Sequence, residues 1–123
     1  MNKLKLLVQY AKHNDIDIVL SDKYKVSACE LDKRCIHIST KDIAKDVKQF
    51  GVYSFKTLLY NTIAHEIGHL LLDRHEYINL EEEIEAWRIA SQILFMLDIT
   101  IANKFIDFCL NGYEQLFSNN ERV

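Results

Sequence analysis

Two histidines and a glutamate stand together in His65-Glu66-Ile67-Gly68-His69, a spacing that can hold a metal ion and hydrolyse a bond. On a helix, residues four apart lie about 40° apart and one turn along, so His65 and His69 can grip one ion. Glu66, one residue on from His65, is turned so that its carboxylate faces water at an open metal position rather than the ion itself. Two imidazoles, an open position and an adjacent base are the parts of a zinc hydrolase. The neighbours Thr62-Ile63-Ala64 and Leu70-Leu71 are uncharged, as a helix packed into a core requires.

A catalytic zinc takes three protein ligands, so a third must follow His69. His75 stands ten residues after His65, the offset of the metzincin pattern, but the glycine which that pattern needs is replaced by Leu72. On a continuing helix His75 falls about 15 Å beyond His65, and Asp73 about 12 Å, out of reach of a shared ion. Asp73 could instead hydrogen-bond His69. The remaining candidates are Glu81, Glu82, Glu83 and Glu85. An acidic first turn suits a helix N-terminus, and some of these glutamates need no other reason. The apolar stripe of this helix runs through Ala86, Ala90, Ile93, Leu94 and Leu97, and Glu83 shares it. Glu85 lies near its edge, and Glu81 points to the polar side with Arg88 and Gln92. A carboxylate on a packed face needs a partner, which favours Glu83, with Glu85 and then Glu82 as alternatives.

With H-E-I-G-H-L-L-L followed by E-x-E-A-x-x-x-A, residues 20 to 95 resemble the ImmA/IrrE family of small zinc metallopeptidases. The resemblance implies a gluzincin-like, zincin-type fold, with His65 and His69 as ligands, Glu66 as base and a glutamate preceding Ala86 as third ligand. It also implies a setting in bacteria, phages or integrative elements and a protein substrate such as a helix-turn-helix repressor. The sequence departs from the family at Trp87, where Asn or Asp is common, and lacks the usual proline after the apolar run Ile93-Leu94-Phe95-Met96. A zincin further implies that strand Cys35–Ser39 is the sheet edge on which an extended substrate pairs.

The elements that must position these residues are legible from periodicity. A helix is expected from Asn2 to His13, where Leu4, Leu7, Val8 and Ala11 recur at three and four. Strands are expected at Ile16–Leu20, Val26–Leu31 and Cys35–Ser39, the last two joined by a turn at Asp32-Lys33-Arg34. Ser39 or Thr40 would cap a helix from Lys41 to Phe50, ended by Gly51. Ser54 would cap the motif helix, which runs to about Arg74. A further helix runs from Asn79 or Leu80 to about Asp98. A last one, capped by Thr100, reaches Asn111 and resumes from Tyr113 to Phe117 beyond Gly112. Helix, small three-stranded sheet, then helices make an α+β chain.

At 123 residues the chain suits one domain, residues 1–123, and nothing in it suggests a second. No apolar run approaches membrane-spanning length, and Leu6-Leu7-Val8 is too short for a signal-peptide core. Three cysteines, Cys29, Cys35 and Cys109, form no disulfide framework, so free thiols and a cytoplasmic setting are expected. A net charge of −3 without a basic stripe gives little support to nucleic-acid binding. Tyr53, Tyr60, Tyr77 and His37 are candidates to stabilise an oxyanion. Trp87, Phe105 and Phe108 read as core, and His13 as a solvent-side residue. The expected function is peptide-bond hydrolysis with zinc held by His65, His69 and Glu83. The alternatives are a zinc-containing protein that sequesters a regulator without cutting it, and a metal-free helical regulator.

Overall fold

The computed structural model describes residues 2–72 and 79–121. Among these, helix α1 (Lys3–His13) is followed by strands β1 (Asp17–Ser21), β2 (Ala28–Glu30) and β3 (Cys35–Ser39). Helices α2 (Thr40–Gln49), α3 (Phe55–Leu72), α4 (Leu80–Met96) and α5 (Asn103–Glu121) complete an α+β arrangement. The expected helix and strand order holds, with ends shifted by a few residues. Asp73, His75 and Tyr77 lie outside the described residues.

The sheet is mixed, in the order β1-β3-β2. β2 and β3 form the expected antiparallel hairpin, with Cys29 opposite Ile36 and Glu30 opposite Cys35. Its turn has no glycine; Arg34 itself takes φ 48°. The Arg34 guanidinium stabilises that conformation by donating to the carbonyls of Asn14 (2.8 Å) and Asp15 (3.3 Å). β1 lies parallel to β3, with Ile18 opposite Ile36. β3 is therefore the central strand, and the expectation that it offers a free edge is wrong. Its Ile36 and Ile38 are fully buried, and a strand so deep in the core has its main-chain groups paired on both sides. The edge strand that packs on α3 is β2.

α3 is the axis of the molecule. It packs against α1, α2, α4, β2 and β3, and so is apolar nearly all round, with Leu58, Ile63, Ile67 and Leu70 fully buried. The hydroxyl of Ser54 accepts from the Thr57 N–H (3.1 Å) and starts the helix as expected. Asn79 does the same for α4, accepting from the Glu82 N–H at 2.8 Å, and Ser39 for α2 through the Asp42 N–H at 3.0 Å.

α5 starts later than Thr100 and runs through Gly112 without a break. The reason lies in α3. Asn61, fully buried, donates to the Thr57 and Thr100 carbonyls (2.8 and 2.9 Å) and accepts from the Ala102 N–H (2.9 Å). This holds residues 100–102 as an extended connector. Asn61→Ala leaves the buried Ala102 N–H without its partner and removes the donor to the Thr100 carbonyl, and is expected to cost about 2 kcal/mol. Urea unfolding measures this, and a loss below about 0.5 kcal/mol would show that the connector does not depend on Asn61.

Gly68 sets the distance between α3 and α4. A Cβ on it would land on the carbonyl oxygen of Ala86 and come within 3.1 Å of the carbonyl carbon. Alanine favours a helix over glycine by about 1 kcal/mol, but here the obstacle is backbone, and the helices must part. Gly68→Ala is expected to lower stability by about 1–3 kcal/mol and to weaken metal binding, because Glu83 stands one turn before Ala86. Thermal melts with and without zinc check both effects. A stabilised, fully metal-competent variant would mean that the two helices are not held at this contact.

Candidate metal centre

The approach that Gly68 permits brings the first turn of α4 over the middle of α3. His65 Nε2 and His69 Nε2 face each other at 3.1 Å. Glu83 closes the group, with one carboxylate oxygen 2.9 Å from His65 Nε2 and the other 3.2 Å from His69 Nε2. Among the described residues this is the one group of three or more His, Cys, Asp or Glu side chains able to hold a metal ion. One ligand atom from each residue lies within 4.8 Å of the others, close enough for the three to share one ion. Two imidazoles and one carboxylate also match the donor set of catalytic zinc sites.

The electrostatics are those of anionic groups collected around a cation site. Glu83 is 2 % exposed. Burial pushes its carboxyl up, but hydrogen bonds from His65 and His69, and their charge, outweigh this and hold it at about 2. Burial likewise pushes His69 down, and its hydrogen bond to Glu83, with Glu83, Glu66 and Glu82 around it, leaves it above the usual imidazole range. Glu82 is buried and meets the other His69 nitrogen, Nδ1, at 3.4 Å. An acceptor there fixes the ring and leaves Nε2 free for a ligand. The residues thus take different places: Glu83 in the group, Glu82 behind His69. Glu85 stands apart, paired with Arg88 at 2.8 Å, and Glu81 is exposed.

Glu66 is buried beside His65, its Oε1 3.7 Å from His65 Nδ1. Cys29 on β2 reaches it from the sheet. Burial, and then the Glu66 carboxylate to which it hydrogen-bonds, push the Cys29 thiol up to about 12. A thiol that stays protonated is a donor to the Glu66 carboxylate. Sequence reasoning saw only a free cysteine here. The hairpin register carried the missing signal, since Cys29 opposite Ile36 must share its inward face. Cys35 lies on the other face, and all three cysteines are free.

Trp87 stacks flat on the His65 ring, with centroids 4.1 Å apart and planes within 4°. It thus orients the ring by its face where an Asn or Asp would use a hydrogen bond. Trp87 and Phe105 are core residues as expected, but with the half-exposed Phe108 they also wall a cavity of about 280 Å³ that opens beside His65 and Glu66. Of the tyrosines named as oxyanion candidates, neither Tyr53 nor Tyr60 lines it. Tyr53 receives the Lys104 N–H (3.1 Å), and Tyr60 packs against the core. His37 faces away from α3, between Glu30 (2.7 Å) and the Tyr24 hydroxyl (3.0 Å).

Comparison with protein-family models and with curated proteins finds no match to this chain.

Proposed function

We propose that this chain is a zinc metallopeptidase of the ImmA/IrrE type, with a zincin-like fold, that hydrolyses a peptide bond in a regulatory protein such as a helix-turn-helix repressor. The convergence of His65 Nε2, His69 Nε2 and the Glu83 carboxylate, with Glu66 beside them at the mouth of a cavity, carries this reading. When bound, zinc supplies Lewis acidity to the scissile carbonyl and to water. Glu66 takes a proton from the attacking water as its oxygen adds to the carbonyl carbon. It then passes that proton to the amide nitrogen as the C–N bond breaks. His65 is held in orientation by Trp87 and His69 by Glu82, so neither ring has to reorganise during the reaction. An extended substrate adds to the edge strand β2, whose Cys29 already touches Glu66.

Intact Glu66 and the adjacent cavity favour an enzyme over a zinc protein that only sequesters a regulator, because a structural site needs neither. The three unpaired thiols suit a reducing compartment such as the cytoplasm. Among the described residues no helix is long and apolar enough to cross a membrane. The test is incubation of the zinc-loaded protein with helix-turn-helix repressors encoded beside it, followed by mass spectrometry. A single cut that disappears on chelation is expected. An intact repressor bound tightly by the protein would favour the sequestering alternative.

A further inference from the structure

The cavity beside Glu66 is lined by side chains of two characters. Trp87, Phe105 and Phe108 present aromatic surface, while Asp42 and Asp46 line it from α2. The two aspartates are four residues apart on one helix face, both half-buried. Neither has a cationic partner among the described residues. Among the described residues they form no metal-binding group with any neighbour. Trp87, 3 % exposed, keeps its indole Nε1 buried without an acceptor, a donor left for a main-chain carbonyl in the cavity.

We propose that this cavity is a specificity pocket for a basic side chain, arginine or lysine, of the segment bound at the metal centre. That the segment is a substrate rests on the peptidase reading above. At about 280 Å³ the cavity is at the lower bound of small-molecule sites and suits a single long side chain. The aliphatic stem lies along the phenylalanines, a guanidinium can stack on an aromatic face, and the charged end meets the aspartate pair. Two unpaired carboxylates sharing a partly dry wall repel each other, which a bound cation relieves. Burial, and then Asp42, push the Asp46 carboxyl up to about 6.

The chain has one tryptophan, so its fluorescence reports occupancy of this cavity directly, without turnover. Nα-acetyl-argininamide is titrated against Nα-acetyl-citrullinamide, a neutral analogue of similar shape, in the full chain and in Asp42→Asn, Asp46→Asn and the double variant. Circular dichroism confirms that each folds. The expected result is binding of the arginine compound about tenfold tighter than the citrulline compound, with the difference gone in the double variant. Equal binding of the two compounds, or a preference that survives the double variant, overturns the proposal. Cut sites made by the zinc-loaded protein in an unstructured protein mixture, with a Glu66→Gln blank, address the other reading separately. Cuts flanked on one side by Arg or Lys support the pocket as a substrate pocket, and cuts without that preference overturn it. Selective arginine binding with no cuts anywhere sinks the peptidase reading while the basic-side-chain pocket stands.

Discussion

Glu83→Ala is expected to leave the purified chain without its metal, while Glu85→Ala, two residues away, retains it. Glu83 bridges both imidazoles at 2.9 and 3.2 Å, whereas the Glu85 carboxylate is engaged by Arg88 on the outside of α4. Losing a group that merely orients a ligand weakens metal binding about 10–100-fold, so losing the ligand should exceed about 100-fold. Glu82→Ala, which frees His69 Nδ1, should fall in the orienting range. Elemental analysis of the three variants beside the parent measures this. Equal zinc in the Glu83 variant and the parent would remove the proposed centre, because no other group of side chains among the described residues can replace it. The same substitution has a signature without metal. The Glu83 carboxyl is depressed in the folded chain, so its contribution to stability is present above its ordinary value of 4.5 and is lost as pH falls from there through about 2. The stabilities of the metal-free parent and variant should therefore differ at neutral pH and converge in acid.

How much of this was legible beforehand follows from which interactions are local. The pair His65 and His69 needs only helical spacing, and Glu83 needs only the stripe it shares with Ala86 and Ala90; both come from short windows. The caps at Ser39, Ser54 and Asn79 are likewise local, one side chain answering one N–H three residues on. The central place of β3 was hidden because β1 pairs with it in parallel, a crossover that no turn signal announces. The late start of α5 depends on Asn61, about forty positions away, whose amide looks in the sequence like any polar residue on a helix. The stacking of Trp87 on His65, the thiol of Cys29 against Glu66 and the aspartate-lined cavity all join elements distant in the chain. Tertiary packing alone assembles them.

Glu66→Gln should keep the fold and the zinc and lose turnover by about 10²–10⁴-fold, the range over which a positioned base contributes. The amide is nearly isosteric with the carboxylate and still accepts from the Cys29 thiol, so the packing of α3 against β2 is preserved. It cannot take a proton from water. Metal content equal to the parent, with product formation near the blank, is the expected pair of observations, measured on a repressor or on the peptide mixture. Cys29→Ala separates the base from its support. The thiol only donates to Glu66, so this variant should retain zinc and lose about tenfold or less of the rate. A large loss in both variants would place Cys29 in the chemistry itself. Retained cleavage by Glu66→Gln at parental metal content would sink the role assigned to Glu66, the one cavity-lining carboxylate among the described residues that pairs with His65.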